Sequence, residues 1–454
     1  MKITLQFLGG AGSVTGSKHL LTVHQKKYLI DCGLFQGLKE LRTSNWKPLP
    51  LDPSTLSGVI LTHAHIDHSG YLPLLVKRGF RGKIYTTAAT TALCKVLLPD
   101  AGYLQEEDAR FANKHGFSKH QPALPLFTME DAEKSLEYFS AVPWEEKQKL
   151  SDSVYISFHP AGHILGAAFV QVHIHGTILT FSGDIGRYNG MTMNPPQPLL
   201  RTDYLVLEST YGNRIHPKEN PKEELKKIIH QTFQRGGTLL IPSFAVGRAQ
   251  QILFLLSQLK KEGAINGHPV YVNSPMAMKA TEIFCKFTKE QALSESQCQE
   301  MMKTAHFVSG VEDSKKLNLG TESKIIISAS GMATGGRILH HIKTLAPDPK
   351  NTILFVGFQA PGTRGEAIIH GTESVKIHGE QIPIRAKIIL LDSLSAHADQ
   401  AELMRWIQKT SKAPRVTFLN HGEQESREGL KKKIKETLGW NVVLPFEGDL
   451  YVLT

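Results

Sequence analysis

Cysteine is scarce in this 454-residue chain: four occur, Cys32, Cys94, Cys285 and Cys298. No two of them have the short spacing of a zinc knuckle or a redox motif, which excludes a disulfide-stapled scaffold and a cysteine-paired zinc site. Long apolar runs are also missing. None reaches the ~18 residues that a membrane helix needs, and residues 1–10 hold one lysine and a strand-like apolar run rather than a cleavable leader. Low-complexity linkers are absent, and charge of one sign does not dominate: Lys plus Arg number 52 against 42 for Asp plus Glu. A soluble, cytoplasmic protein with no membrane partner is the expectation.

What remains is ordinary globular usage, with 41% apolar and 21% charged residues, in a chain two to three times the usual domain length. At least one large core and a second domain follow from that size. A formal charge of +10 and a pI near 9.2 suit an anionic partner. Part of that excess is a solvated helix face, since Lys431, Lys432, Lys433 and Lys435 cluster at helical spacing.

Residues 2–8, 19–23 and 27–30 read as strands in quick succession, joined by Gly/Ser turns, and 58–62 as an apolar, β-branched strand followed by a helical stretch at 71–77. A charge-rich helical region is expected over roughly 93–149, then strands at 154–158, 168–173 and 177–181. From about residue 210 the rhythm becomes strand, loop, helix: strands at 238–241, 270–272 and 324–328 precede helices at 248–261, 276–287 and 337–345. That alternation predicts βαβ units on a mostly parallel sheet. The tail, with strands at 386–391, 415–419 and 441–444 around helices at 400–409 and 428–438, returns to the earlier style. The chain therefore reads as an α/β protein in which 209–385 is a domain inserted between 1–208 and 386–454.

The densest chemistry is the run Thr62-His63-Ala64-His65-Ile66-Asp67-His68-Ser69-Gly70, directly after an apolar strand. Alternation on an extended segment aims His63 and His65 to one side, and the turn that follows returns Asp67 and His68 toward them. Imidazoles and carboxylate together suit Zn²⁺ or a similar first-row metal. Two further strand-end turns each offer one ligand, His163 in Gly162-His163-Ile164-Leu165-Gly166 and Asp184 in Gly183-Asp184-Ile185-Gly186. Alone each is an ordinary turn residue; together they supply the third imidazole and the bridging carboxylate of a two-metal site.

His-x-His-x-Asp-His, then Gly-His, then Gly-Asp resembles the metallo-β-lactamase superfamily. The later motifs narrow the resemblance to the β-CASP nucleases, over essentially the whole chain: Glu208 in Leu207-Glu208-Ser209-Thr210-Tyr211-Gly212, His397 in Ser395-Ala396-His397-Ala398-Asp399, and His421 in Asn420-His421-Gly422-Glu423. The resemblance implies an αββα sandwich carrying an inserted β-CASP domain. It further implies that His63, His65 and His163 hold one zinc, that Asp67, His68 and His421 hold a second, and that Asp184 bridges them. Mn²⁺ is an acceptable substitute. Asp31 matches the family's first motif and should hydrogen-bond to a ligand.

A two-metal phosphodiesterase acidifies a water and neutralises charge on the phosphate, and the leaving oxygen needs a proton. His397 is the candidate acid, with Glu208 orienting it; the products implied are a 5′-phosphate and a 3′-hydroxyl. Two turns in the insertion could anchor other phosphates or equally be structural: Ser330-Gly331 with Arg337 at a helix start, and Ser243-Phe244 with Arg248, where Phe244 could stack on a base. The loop Gly9-Gly10-Ala11-Gly12-Ser13-Val14-Thr15-Gly16-Ser17 fails as a dinucleotide fingerprint because a strand, not a helix, follows it; no nucleotide cofactor is expected, and by resemblance the loop flanks the site. His421 stands where RNA-acting family members carry histidine and DNA-repair members valine, so the expected activity is hydrolysis of single-stranded RNA between the two domains, in RNA processing or decay. The alternatives are a β-CASP DNA nuclease and a small-molecule hydrolase for thioesters or lactams, which an insertion of this size argues against. A homodimer is compatible with everything above.

Overall fold

Nearly inaccessible Ile3, Leu5 and Phe7 alternate with half-buried Thr4 and Gln6, so Ile3–Gly9 is a strand with one face in a core. In the computed structural model, which describes all residues except 1, 117, 119, 266 and 321, it belongs to a seven-stranded sheet. The order is Leu450–Leu453, Ile3–Gly9, Lys18–Val23, Lys26–Ile30, Leu56–Ile60, Lys83–Thr86, Phe139–Ala141. The first four pair antiparallel, and from Lys26–Ile30 onward the pairing is parallel. A second seven-stranded sheet runs Val442–Val443, Val416–Asn420, Tyr204–Glu208, Thr177–Phe181, Ala168–Ile174, Val154–Pro160, Gln148–Ser151.

The two sheets share one core. Leu5, Phe7, Ile30 and Ile60 from the first pack with Ile156, Val170, Phe181, Val206 and Phe418 from the second. Tyr204–Glu208, buried along its whole length, lies in the middle of the second sheet and is absent from the strands expected above, because a fully buried strand shows no alternation to read. The helical expectation over 93–149 also needs correction. One helix, Ala88–His115, is capped by Thr87 accepting from the Thr90 N–H and stops at Gly116 with φ +64°. A short helix Met129–Ser135 follows, and the rest of the interval contributes the edge strands Phe139–Ala141 and Gln148–Ser151.

Two compact units result, residues 1–215 with 397–454, and residues 216–396. In the second unit, a six-stranded parallel sheet runs His306–Phe307, Val270–Asn273, Ile325–Ser328, Leu239–Pro242, Thr352–Val356, Lys387–Leu391. Its core includes Leu240, Ile326, Ile338, Ile353 and Phe355. Lys387–Leu391, expected in the tail of the first domain, instead pairs with Thr352–Val356 from Thr352↔Lys387 to Val356↔Leu391. At the other end, residues 209–215 stay with the first unit: the Ser209 N–H bonds the His421 carbonyl, and Gly212 lies so close to the Ser426 carbonyl that a Cβ would sit 2.4 Å from it. Among the described residues no helix is long and apolar enough to cross a membrane.

Candidate metal centre

Leu56–Ile60 ends in a short extended segment, and Thr62 holds it to the end of the neighbouring strand. Its N–H donates to Asp31 Oδ1 at 2.8 Å and its hydroxyl to Asp31 Oδ2 at 2.9 Å. Asp31 has φ +57°, a left-handed backbone that turns its carboxylate under the following loop. Oδ2 also lies 2.8 Å from His68 Nδ1. That bond assigns the proton to Nδ1 and leaves Nε2 as the lone-pair nitrogen. His63 Nδ1 lies 3.1 Å from the Thr62 hydroxyl, which frees His63 Nε2 in the same way.

The ring nitrogens of these and two further histidines converge on one carboxylate. His63, His65, His163 and Asp184 form one group of ligand atoms within 4.8 Å of one another, and Asp67, His68 and His421 form another. Asp184 serves both: Oδ2 is 3.3 Å from His63 Nε2 and 3.5 Å from His163 Nε2, while Oδ1 is 3.3 Å from His68 Nε2 and 3.4 Å from His421 Nδ1. Nε2 of His163 is 3.2 Å from Nδ1 of His65, and Nε2 of His68 is 3.2 Å from Nε2 of His421. Imidazole nitrogens that approach so closely without a cation between them need a shared proton. His63 Nε2 and Asp184 Oδ1 are buried without a hydrogen bond, a cost that a native site accepts when an ion satisfies them.

Electrostatics sort the groups into the protonation states that metal ligands require. Burial, reinforced by His63, takes the His65 imidazole down to about 3, and burial likewise lowers His63 and His163. Burial works against the charge of Asp67 and Asp184, but a hydrogen bond from His421 for Asp67, and the field of His421 and His68 for Asp184, hold both far below the usual carboxylate range. His68 goes the other way. Burial resists its charge, yet Asp184 and Asp31 on either side draw a proton to the ring, and a divalent ion on Nε2 would answer the same pull. The donor set thus fits divalent metal.

Beside these groups, Glu208 is fastened by the Ile185 N–H at 2.8 Å and the Thr210 N–H at 3.2 Å, and its Oε1 lies 3.3 Å from His397 Nδ1. Burial pulls the His397 imidazole down, but the carboxylates of Glu208, Asp184 and Asp67 together outweigh it and the net shift is upward. The His397 ring is 4.4 Å from that of His163. Thr210, not singled out in the sequence, places its hydroxyl 3.3 Å from His421 Nδ1. The glycine-rich loop touches the site through its backbone: Gly10 accepts the His421 N–H at 2.8 Å and the Ser17 N–H donates to the Asp67 carbonyl at 2.9 Å.

The residues expected as phosphate grips in the second unit also make bonds within that unit. Arg337 donates to Asn273 Oδ1 at 2.8 Å and to the carbonyls of Val308 and Ser309, and Arg248, 7% exposed, bonds Gln251 Oε1 at 2.6 Å. Both guanidinium groups brace their own unit. Ser243 is buried, Gly331 lies against Phe244 so that a Cβ would meet its ring at 2.7 Å, and Ser330 holds the turn by accepting the Thr334 N–H at 3.0 Å.

Comparison with known proteins agrees with this geometry. Family models match at residues 19–229 (metallo-beta-lactamase superfamily), 249–368 (Beta-Casp domain) and 381–445 (Zn-dependent metallo-hydrolase RNA specificity domain). The chain is 37% identical to Ribonuclease TTHA0252 of Thermus thermophilus, over 93% of this chain and 94% of that protein. It is 30% identical to the transcription termination factor FttA of Pyrococcus abyssi, over 98% and 70%, and 30% identical to FttA of Methanocaldococcus jannaschii, over 93% and 67%. Its fold is similar to that of a protein of unknown function from Enterococcus faecalis V583, with a TM-score of 0.57 at 14% identity over the whole of both chains. With family models along its length and a 37% identical relative covered almost end to end, the chain belongs to the β-CASP family of the metallo-β-lactamase superfamily of metallo-hydrolases.

Proposed function

We propose that this protein is a zinc-dependent ribonuclease that hydrolyses phosphodiester bonds in single-stranded RNA, leaving a 5′-phosphate and a 3′-hydroxyl. The observation that carries the reading is the division of Asp184, one oxygen toward His63 and His163 and the other toward His68 and His421. When bound, two divalent cations supply Lewis acidity, acidifying water and neutralising charge on a phosphate. The side chains do the rest. His63, His65 and His163 would hold one ion and Asp67, His68 and His421 the other, with Asp31 and the Thr62 hydroxyl fixing which ring nitrogen of His68 and His63 faces inward.

His397 is the residue to protonate the leaving oxygen, because Glu208 both orients Nδ1 and stabilises the cationic ring. RNA is favoured as substrate by the ribonuclease relative and by the match to an RNA specificity domain. Mn²⁺, which the carboxylates Asp67 and Asp184 suit, would substitute for Zn²⁺ at lower affinity.

The test compares end-labelled single-stranded RNA and DNA of one sequence, with zinc supplied at a fixed level. Wild type should cut the RNA. Asp67→Ala should abolish cleavage and lower the bound metal, while His397→Ala should slow cleavage by about 10²–10⁴-fold with metal content unchanged. Preferential cutting of DNA, or turnover of a lactam or thioester without nuclease activity, would replace this reading with one of the alternatives.

A further inference from the structure

Tryptophan is the side chain a fold can least afford to leave in water, yet Trp46 is 53% exposed and is the only tryptophan among the exposed large apolar residues described. It is not on a loose loop. Asn45 beside it is buried and ties the segment shut in both directions: its Oδ1 accepts the Phe35 N–H at 2.9 Å and its Nδ2 donates to the Phe35 carbonyl at 2.8 Å. On the other side Arg78 donates to the carbonyls of Trp46 at 3.3 Å and Lys47 at 3.1 Å. The backbone flanking the indole is therefore fixed before anything binds, and a rigid aromatic presented this way loses little entropy on binding.

The surroundings carry positive charge. Lys39, Arg42 and Lys47 are exposed within nine residues that hold one carboxylate, Glu40, and the guanidinium of Arg78 lies against the Trp46 backbone. The segment is also continuous with the metal centre. Between Asp31 and Asn45 the chain lies along the turn that carries Asp67 and His68, with the Cys32 N–H bonded to the His68 carbonyl at 2.7 Å and the Leu34 N–H to the Ile66 carbonyl at 2.9 Å.

We infer that Trp46, with the cations of Arg42 and Lys47, forms an accessory platform on which a base of the RNA strand stacks outside the scissile position. The inference rests on the ribonuclease reading above. A π-face flanked by cations is the chemistry that single-stranded nucleic acid selects without regard to sequence, and the salt-sensitive part of the affinity would come from the phosphates alongside it. Such a platform acts on substrate affinity and not on bond cleavage.

The experiment uses the zinc-loaded protein and steady-state cleavage of two oligouridylates, one of three and one of twelve nucleotides, by wild type, Trp46→Ala, Trp46→Phe and Arg42→Gln/Lys47→Gln. For the longer RNA, Trp46→Ala should raise KM about tenfold, equivalent to about 1.4 kcal/mol for one lost stack, with kcat changed less than twofold. Trp46→Phe should recover most of that loss, and the double substitution should flatten the dependence of KM on salt. KM for the short RNA should be indifferent to all of them. Equal KM for wild type and Trp46→Ala on the longer RNA overturns the platform, as does an equal effect on both lengths or a fall in kcat with a lowered melting temperature. If wild type cleaves neither RNA, the ribonuclease reading itself has failed.

Discussion

A single methyl group tests how the ligand turn is held. Gly33 follows the Asp31 strand end, and a Cβ added there would lie 1.6 Å from the Asp67 carbonyl oxygen, 2.0 Å from its carbon and 2.7 Å from the His68 nitrogen. All three atoms are backbone, so no side chain can swing away. A comfortable non-bonded approach is about 3.5 Å, so the turn must retreat by about 2 Å, the difference between that distance and the 1.6 Å contact. That movement would break the Cys32–His68 and Leu34–Ile66 backbone bonds, at about 1 kcal/mol each. It would also draw Asp67 and His68 away from His421, to which they now stand at 3.4 Å and 3.2 Å. Gly33→Ala should therefore lose about 2 kcal/mol of stability and at least about 100-fold in kcat/KM, the effect of an ångström-scale misplacement. Metal should be lost from the Asp67, His68, His421 group while the His63, His65, His163 group keeps its ion. Denaturant melts, metal analysis and RNA cleavage read the three effects. A variant with both metals bound and activity within twofold of wild type would show that this close approach does not position the ligands.

Other perturbations follow from the same contacts. Removing metal with a chelator should lower thermal stability, by about 2.7 kcal/mol for each site relative to protein at free zinc 100-fold above that site's Kd, and adding zinc back should restore it; a melting curve indifferent to chelator speaks against a metal site. Thr62→Val keeps the shape of a fully buried side chain but deletes the hydroxyl shared by Asp31 and His63. It should weaken zinc binding by about 10–100-fold and Thr62→Ser should restore it, whereas unchanged zinc titration would assign Thr62 a packing role only. His341, buried between Asn273 at 2.7 Å and Asn318 at 2.6 Å, is taken by burial from 6.5 down to about 4. A folded value below the unfolded one stabilises fully above pH 6.5 and is lost as pH falls toward 4, by about 3 kcal/mol at most. The urea midpoint of His341→Gln should accordingly fall less steeply than that of wild type over this interval, and parallel slopes would refute it.

The residues that converge at the metal centre were legible because each lies in a short motif at a strand end, where sequence spacing nearly fixes direction. His63 and His65 are two apart on extended backbone, and His163 and Asp184 each follow a glycine with positive φ. The threonines were not legible. Thr62 and Thr210 neighbour the motifs, but a hydroxyl's partner is set by a strand or turn far away in sequence, Asp31 in one case and His421 in the other. Arg248 and Arg337 mark what spacing leaves open. A cation at a helix start after a glycine turn is the pattern of an anion site, and only the fold reveals that these guanidinium groups also bond Gln251 and Asn273. Nor could periodicity assign Lys387–Leu391 to a sheet, since an apolar run satisfies either until its partner is known.

Topology explains why so many separate segments deliver candidate ligands to one place. Val154–Pro160, Thr177–Phe181, Tyr204–Glu208 and Val416–Asn420 all run in one direction, the first through two antiparallel steps. His163, Asp184, Glu208 and His421 thus sit at or just beyond the same edge of that sheet. Parallel Lys26–Ile30 and Leu56–Ile60 do likewise for Asp31 and His63 in the other sheet. Carboxyl ends of parallel strands are the edge at which α/β sheets collect their ligands. The insertion respects this arrangement. It interrupts the crossover between two neighbouring parallel strands whose register runs unbroken from Tyr204↔Val416 to Glu208↔Asn420, and lengthening a connection costs little once its ends are pinned. Glu208 lies just before the second unit and His397 is the first residue after it. Their contact at 3.3 Å, with the parallel bridge of Tyr211 to Asp399, closes the stem of the insertion at the metal centre itself, so the pair proposed to deliver a proton is also the clasp that keeps the interrupted domain whole.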